Sequence, residues 1–396
     1  MSGRDLFRQP RRTGRGATLA LVFASVLVAG AATGSFPETG RGPDSGEART
    51  VVPVSRPEQV ARAAAEAMAD GKSPTEAAER VVSRSGDRWA AVYSRGEYEE
   101  FEEALDGRYT GVGLSARRER GGRIEVTGVA TGSPAAGAGI RAGDRLRSVD
   151  GHRVDGRPVT EVVSLLRGDA TDAPAGTAVT LGMERGRHLW STTLRRARLS
   201  TGSVTERTLA GGVTVIRIAA FTKGVGDAVR TAVHRAVAGA GVVLDLRGNS
   251  GGLVTEAVTT ASVFLDGGLV ATYDVDGDQR ALHAEPGGDT TRPLVALVDG
   301  GTMSAAELLT GALKDRGRAV VVGSRTFGKG SVQMPSRLPD GSVAELTVGH
   351  YRTPSGRGVD GTGIAPDLEA DGRALQRAQT VLSGLGPVGR PGRPTG

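Results

Sequence analysis

Three polar side chains in the carboxyl-terminal half have types that hydrolytic chemistry requires. The first, Ser304, follows the apolar run 294–298 and directly precedes an amphipathic segment. This order predicts a strand-to-helix turn that presents the Ser304 hydroxyl at the edge of a sheet. The N–H of Ala305 would then lie at a helix N-terminus, where it could stabilise a developing oxyanion. Serine is also a common helix N-cap, so Ser304 alone leaves a structural role open.

The second side chain is Lys329, in the glycine-rich segment 323–333 (GSRTFGKGSVQ), and only four of the 50 basic residues are lysine. An amine can accept a proton from a hydroxyl nucleophile if burial lowers its pKa, whereas a guanidinium cannot. If 329–333 is extended, Gln333 shares a face with Lys329 and could orient the amine by a hydrogen bond. A solvated loop lysine is the alternative.

A second oxyanion donor is expected after the apolar strand 242–247. This strand is followed by Gly248-Asn249-Ser250-Gly251-Gly252. Adjacent glycines let backbone amides approach a ligand closely, so the N–H of Gly251 or of Gly252 could serve. A tight turn into the next helix would use the same glycines, and the choice between these roles stays open.

The elements that must position these groups alternate between strands and helices from residue 212 onward. Such alternation predicts an α/β domain, a largely buried sheet covered by helices, over 199–385. The segment 109–198 has short alternating strands and many turn residues, which predicts a compact, mostly β module. Proline-started helical patterns predict a small helical region over 57–108.

Both ends of the chain have the composition of segments outside a folded core. Residues 1–32 contain five arginines within the first 16 positions, followed by the apolar run 17–32. This order predicts a signal peptide or a single N-terminal membrane anchor. Residues 33–56 are rich in Gly, Pro, Ser and charge and are expected to be a flexible tether. The Gly/Pro/Arg segment 386–396 is expected to be a disordered tail.

Composition excludes several classes of function. The 396 residues predict two or three domains, and the absence of cysteine excludes disulfides, thiolate catalysis and cysteine metal sites. The net charge of +6 arises from the two ends, since residues 1–16 carry +4 and the tail carries +2. A nucleic-acid interface is therefore not indicated, because such an interface needs basic residues clustered on the folded part.

Five ordered motifs together resemble the catalytic core of the C-terminal processing (tail-specific) serine peptidases, the S41-type peptidases. The motifs are LDLRGNSGG, GTMSAAELLTGAL, VVGSRTFGKGSVQ and YRTPSG with GIAPDL. The resemblance implies that Ser304 is the nucleophile, Lys329 the base and Gln333 its orienting partner. It places the oxyanion donors on Ala305 and on the Gly251-Gly252 pair. It also implies an α/β core of the ClpP/crotonase-like type.

The sequence departs from the usual motifs of that family at two places. Gly248-Asn249-Ser250 stands where the family has Asn-Asn-Pro, and Thr302-Met303 stands where it has Ser-Ala before the serine. Neither change removes a proposed catalytic side chain. Both could alter the rigidity of the loops and the preference for substrate.

The module 109–198 resembles a PDZ domain, most specifically in the sequence GSPAAGAGIRAGDRLRSVDG. PDZ domains bind an extended C-terminus as an added strand and hold its carboxylate in a backbone nest. The glycine-rich Gly111-Val112-Gly113-Leu114 is the expected nest. The apolar face formed by Val159, Val162, Val163 and Leu166 would be either a wall of that groove or core.

Three rival motifs fit less well. The segment 323–330 approaches a phosphate-binding P-loop but has Gly330 where a magnesium-binding hydroxyl is needed, and no helical pattern follows. GNSGG imitates the nucleophile loop of trypsin-like enzymes, with Ser250 as nucleophile, but no histidine has that family's flanking sequence. None of the five histidines forms the HExxH pattern of a metal site.

The sequence thus predicts an exported serine endopeptidase that recognises exposed C-terminal tails and uses a Ser-Lys(-Gln) centre. The expected partners are proteins or peptides with free C-termini, with membrane association through the N-terminal segment and no nucleic acid. No cofactor and no metal are expected. The expected location is extracytoplasmic, secreted or anchored to the cytoplasmic membrane. The alternative is a catalytically inactive PDZ scaffold that binds protein C-termini.

Overall fold

The structure is a computed structural model that describes residues 57–119, 121–167, 174–275 and 278–385. The predicted signal peptide or anchor, the tether and the tail from residue 386 lie outside the described residues. Within the described ranges, no helix combines the length and the apolar character that a membrane crossing requires.

The N-terminal region contains a strand as well as the predicted helices. Ser73 caps the second helix by accepting the N–H of Glu76, and Ser94 forms a reciprocal capping box with Glu97 on the third helix. Both caps stabilise helix starts that follow turns. The elements are α1 (Pro57–Ala69), α2 (Pro74–Arg84), β1 (Ala91–Tyr93) and α3 (Arg95–Leu105).

A mostly β module follows, and its entry and exit strands pair with each other. These two are β2 (Arg108–Gly111) and β9 (Ala197–Ser200), which are antiparallel. The strands between them form an antiparallel sheet around one apolar core. The elements are β3 (Leu114–Arg118), β4 (Ile124–Val129), α4 (Pro134–Gly137), β5 (Arg145–Val149), β6 (His152–Arg153), α5 (Val159–Arg167), β7 (Ala178–Arg185) and β8 (His188–Arg195).

The carboxyl-terminal half is an α/β domain, as the alternating pattern predicts. Its elements are β10 (Val204–Thr208), β11 (Thr214–Ile218), α6 (Val225–Arg235), β12 (Val242–Asp245), α7 (Val254–Phe264), β13 (Leu269–Val275), β14 (Asp278–His283), β15 (Leu294–Val298), α8 (Ala305–Asp315), β16 (Val320–Gly323), β17 (Ser331–Arg337), β18 (Val343–Arg352), β19 (Leu368–Glu369) and α9 (Ala374–Leu385).

The central sheet has the order β10-β11-β12-β15-β16-β19, and every pair after the antiparallel β10-β11 is parallel. Alternate residues of its strands pack on opposite sides. Leu244 and Ala296 contact the core that contains α6, α7 and α8, whereas Val243 and Val295 face α9. Because parallel strands end at the same edge, the segments after β12, β15 and β16 come together there.

A second sheet joins the N-terminal region to the α/β domain. Its long strand β18 pairs with β17, β13 and β1, and β13 pairs in turn with β14. The register of β1 places Val92 opposite Ala344. Buried residues of α1, α2 and β1 share one apolar cluster with Leu346. The N-terminal region is therefore packed onto the strands that follow Lys329.

Candidate active site

Ser304 occupies the turn between β15 and α8, as predicted, with an unusual backbone conformation. Its φ of 53° is positive, which among the described non-glycine residues occurs elsewhere only at Asp150. Such a conformation costs about 1–3 kcal/mol and persists where surrounding contacts impose it. One such contact is the N–H of Met303, which donates to the carbonyl of Asn249 at 2.9 Å. Ser304 is the N-cap residue, but capping does not require this strain.

Two backbone N–H groups of the Ser304 turn and the Gly251-Gly252 loop have no recorded hydrogen-bond partner in the described residues. Among the described residues, neither Ala305 nor Gly252 donates its N–H to a recorded partner. The N–H of Gly251 instead donates to Asn249 Oδ1 at 2.9 Å. A Cβ at Gly251 would lie 2.9 Å from Ser304 Cβ and 3.3 Å from the nitrogen of Ala305, so this loop lies against the serine turn.

Gly252 is held in place by a parallel bridge to Phe221. The N–H of Phe221 donates to the carbonyl of Gly251, and the N–H of Leu253 donates to the carbonyl of Phe221, each at 2.8 Å. Gly252 has a φ of 129°, and a Cβ there would lie 2.4 Å from the Phe221 oxygen. The chain therefore requires glycine at this position.

The buried carboxylate of Glu307 connects the Ser304 turn with the segment that carries Lys329. Its Oε2 accepts the N–H of Ser304 at 3.0 Å and that of Lys329 at 2.8 Å. Its Oε1 accepts the N–H of Gly328 at 2.7 Å and the hydroxyl of Thr326. Burial raises the pKa of Glu307, and these four hydrogen bonds oppose that rise.

Lys329 is half-buried, and its amine lies against an aromatic ring rather than in open solvent. Its Nζ is 4.9 Å from the ring centroid of Trp89. Burial lowers the pKa of Lys329, and the negative charges of Glu345 and Asp87 oppose that change. Burial in turn raises the pKa of Glu345. Within the described part of the chain, no hydrogen bond is recorded from this amine to Ser304 or Gln333.

Gln333 is on β17, but its side chain makes other contacts than the one predicted. A register shift separates Val332 from Gln333. The Gln333 amide donates to Ser331 Oγ at 2.9 Å and to Thr347 Oγ1 at 3.4 Å. Gln333 is thus close to the segment of Lys329 without a recorded hydrogen bond to its amine.

Several residues that hold the site were not identified from the sequence. Asn249 and Glu307 have local signals, since each lies within a motif that contains a proposed catalytic group. Tyr351 donates its hydroxyl to the carbonyl of Ser304 at 3.1 Å, and Asp87 and Trp89 approach from the N-terminal region. No pattern in the sequence joins these distant segments to the site.

The predicted nest of the mostly β module lies between β2 and β3. Within the described residues, the N–H groups of Val112 and Gly113 have no recorded partner, and β3 is an edge strand beside α5. On α5, Val162 and Leu166 are buried in the core, while Val163 is half-buried. The side chain of Val159 lies outside the described residues. Val162 and Leu166 are therefore core rather than groove wall.

The rival sites gain no support. Residues 331–337 form β17 instead of the helix that a P-loop requires. No group of three or more potential metal ligands is found among the residues that the structure describes. Ser250 lies in the loop after β12, and no histidine contact to it is recorded in the described ranges.

Comparisons with known proteins match two segments of the chain. Residues 212–370 match the model of peptidase family S41, and residues 125–174 match a PDZ domain model. A "Probable CtpA-like serine protease" of Staphylococcus saprophyticus is 32% identical over 317 residues, which cover 78% of this chain and 63% of the relative. The chloroplastic carboxyl-terminal-processing peptidase 3 of Arabidopsis thaliana is 34% identical over 309 residues, which cover 73% of this chain and 59% of the relative.

The chain spans less than two thirds of the length of these curated relatives. Its fold is similar to the crystal structure of an S41 protease from Bacteroides fragilis, with a TM-score of 0.51 and 18% identity over 81% of this chain and 87% of that one. The peptidase and PDZ motifs identified in the sequence all lie within the matched segments or next to them. Residues 212–370 therefore form a segment of peptidase family S41, and residues 125–174 belong to a PDZ domain.

Proposed function

We propose that this protein is an exported serine endopeptidase that cleaves proteins with exposed C-terminal tails. The observation that carries the proposal is the shared carboxylate of Glu307, which holds the backbone of Ser304 next to the backbone of Lys329. A nucleophile and a base on two separate loops need such a connection to act as one unit.

In this mechanism, Ser304 Oγ attacks the scissile carbonyl carbon while neutral Lys329 takes the hydroxyl proton. The lysine then returns that proton to the leaving amine, and water hydrolyses the acyl-enzyme. Burial, which lowers the pKa of Lys329, favours the neutral amine that this step requires. Hydrogen bonds between catalytic groups often form fully only when substrate is bound, so the amine need not contact Ser304 in the free enzyme.

The oxyanion of the tetrahedral intermediate would be bound by the N–H groups of Ala305 and Gly252. Both are without a recorded partner in the described residues, whereas the N–H of Gly251 already donates to Asn249. Of the two glycines left open by the sequence, Gly252 is thus the donor that we propose. Gln333, whose amide donates to Ser331 Oγ on β17 and to Thr347 Oγ1 on β18, would orient Lys329.

The PDZ domain would capture the substrate before cleavage. A free C-terminus would add to the edge strand β3, and its carboxylate would bind the N–H groups of the segment 111–114. The substrates would be proteins or peptides with free, apolar C-termini. Export, with the catalytic domain outside the cytoplasmic membrane, is proposed from residues 1–32 alone.

The test compares the full chain with its Ser304→Ala variant on a loosely folded protein that has an apolar free C-terminus. Cleavage by the parent and none by the variant supports the peptidase and its nucleophile. If both proteins cleave, Ser304 is not the nucleophile. If neither cleaves but both bind the tail, the alternative of an inactive PDZ scaffold gains support.

A further inference from the structure

The indole of Trp89 covers the amine of Lys329 from outside the segment that matches family S41. Lys329 Nζ lies 4.9 Å from the centroid of this ring. Phe327, two residues before the lysine, packs edge-on against the same ring with centroids 5.8 Å apart. The amine is therefore shielded by an aromatic group that the N-terminal region supplies.

Asp87 fixes the position of Trp89 relative to the peptidase strands. Its Oδ1 accepts the backbone N–H of Trp89 at 3.0 Å and the hydroxyl of Thr347 at 3.0 Å. Its Oδ2 accepts the N–H of Thr347 at 3.1 Å. Thr347 also accepts a hydrogen bond from the proposed orienting residue Gln333 at 3.4 Å. One carboxylate thus ties the residue that covers the base to the strand beside it.

In the ranges that the structure describes, the indole N–H of Trp89 makes no hydrogen bond that would hold the ring in place. Trp89 Nε1 is buried and has no hydrogen-bond partner among the described residues. Buried tryptophans usually pair this N–H, so an unpaired one requires an explanation. Contacts of the ring face and edge, with Lys329 and Phe327, are what define its position.

We propose that Trp89 is a positioning residue of the peptidase site, which covers the Lys329 amine and excludes water from it. The proposal rests on the proposed function of Lys329 as the base. It extends the active site to the N-terminal region, which would then be required for catalysis and not only for packing.

The cover matters because water stabilises the charged form of an amine. Burial lowers the pKa of Lys329. The face of the indole attracts an ammonium and so opposes that change, but we expect the hydration gained by an uncovered amine to outweigh the lost attraction. Replacing the indole by a methyl group should therefore let water reach the amine and raise its pKa. The other charged groups near the amine and its ring would remain. They are Glu345 on β18, Asp87, the Arg88 guanidinium 4.8 Å from the Trp89 centroid, its ion-pair partner Asp360, and Glu307 at the Lys329 backbone.

The chain allows this pKa to be measured directly, because it contains only four lysines. The full chain is labelled with ¹³C at lysine Cε, and the four signals are followed by NMR as a function of pH. The signal that is lost in Lys329→Arg is that of Lys329. The variants are Trp89→Ala and Trp89→Phe, and Trp190→Ala, at the second of two tryptophans, is the matched control.

We expect the Lys329 midpoint to shift upward in Trp89→Ala, much less in Trp89→Phe, and not at all in Trp190→Ala. Each pH unit of upward shift lowers the neutral fraction about tenfold below the midpoint. The acid limb of the cleavage profile should move in the same direction. A merely structural role would lower cleavage at every pH and leave the midpoint in place.

An unchanged or lowered midpoint in folded Trp89→Ala would overturn the proposal, as would an equal shift in Trp89→Phe. If Trp89→Ala does not fold, Phe327→Ala decides, because Phe327 is 49% exposed and its removal loosens the cover without emptying the core. We expect a smaller upward shift there, and no shift contradicts the proposal. Undiminished cleavage by Lys329→Ala would instead refute the role of Lys329 as the base. That conclusion would hold for any titration midpoint of Lys329 in the Trp89 variants.

Discussion

The carboxylate of Glu307 accepts the backbone N–H of Lys329 at 2.8 Å, and the same oxygen accepts the N–H of Ser304 at 3.0 Å. One buried oxygen atom therefore fixes two segments that follow different strands of the parallel sheet. Thr326 and Gly328 donate to the other oxygen, so the turn before Lys329 cannot move without breaking several hydrogen bonds of Glu307. The Ser304 turn and the segment that carries Lys329 are thus linked through one carboxylate.

Replacing Glu307 by Gln should destabilise the fold and abolish cleavage. The glutamine amide keeps one acceptor oxygen. Its NH2 group would replace the other oxygen and face donors whose hydrogen bonds the carboxylate accepts in the parent. Losing hydrogen bonds to a buried charged group costs on the order of 2–3 kcal/mol or more. Urea unfolding measures this loss.

The matched control is Glu97→Gln, in the exposed capping box of α3. Glu97 accepts the N–H of Ser94 at 2.9 Å, as Glu307 does for Ser304, but its surroundings are solvated. We expect a loss of about 1 kcal/mol or less there. Equal losses at the two positions would mean that Glu307 is only a helix cap.

Cleavage should fall as the pH falls, because the base must be neutral. Burial lowers the pKa of Lys329, so the neutral form is lost as pH drops through that lowered value. Lys329→Arg stays charged throughout and should be inactive at every pH. Gln333→Ala should be milder, with the acid limb retained. A pH–rate profile without an acid limb in the parent would contradict the role of Lys329.

The same burial predicts that Lys329→Met is at least as stable as the parent. The pKa of an unperturbed lysine is about 10.4. When folding lowers that pKa, the unfolded chain binds the proton more readily, so the folded protein loses stability as the pH falls below about 10.4. The advantage of Lys329→Met should therefore be larger at pH 7 than at pH 10. Urea unfolding at these two pH values measures it.

Lys314→Met provides the contrast. The amine of Lys314 donates to the carbonyl of Ala365 at 2.7 Å and pairs with Asp367. Its removal should lower stability, whereas removal of the Lys329 amine, which has no hydrogen-bond partner among the described residues, should not. A destabilised Lys329→Met with the same pH dependence as Lys314→Met would show that the Lys329 amine is structurally paired.

The sequence predicts the central sheet and the Ser304 turn because these depend on local patterns. Apolar runs such as 294–298 and 319–322 become β15 and β16, with bounds within a residue, and α8 begins directly after Ser304. The short patterns around β13 and β14 were not resolved as strands. Apart from the buried Val270 and Ala271 of β13, their side chains are half-buried or exposed, so these strands lack the clear alternation of core strands.

The contacts of Lys329 could not be predicted in the same way. Trp89 and Asp87 reach Lys329 because β1 pairs with β18, and no local pattern specifies the partner of a three-residue strand. The prediction that Gln333 faces the amine assumed regular extension. The register shift after Val332 breaks that regularity, and Gln333 contacts Ser331 and Thr347 instead.

Gly113→Ala should weaken capture of a free C-terminus by the PDZ domain. Gly113 has a φ of 84°, and a Cβ there would lie 2.2 Å from Ser133 Cβ, so the segment 111–114 must shift. We expect a loss of more than about tenfold in affinity, measured with a fluorescent peptide. Gly143→Ala, with a φ of 89° and no atom near its added Cβ, is the control. Amidation of the peptide's C-terminus should weaken binding to the parent, and unchanged binding would argue against carboxylate recognition.

Gly252→Ala should remove most of the cleavage activity by displacing an oxyanion donor. Its added Cβ would lie 2.4 Å from the carbonyl oxygen of Phe221, which is part of the bridge that holds the loop. The loop must move away, and its N–H moves with it. Loss of one such donor costs about 10²–10³-fold in kcat.

Gly248→Ala separates this effect from general strain in the same loop. Gly248 also has a positive φ, 68°, but its added Cβ meets no atom within 4 Å. Its cost is that of a left-handed conformation, about 1–2 kcal/mol of stability, and kcat should stay near that of the parent. If both variants lose activity equally, the loop as a whole matters and Gly252 is not the donor. A loss confined to Gly252→Ala, with KM little changed, would place the second oxyanion N–H at this residue, because a donor that acts on the transition state affects kcat alone.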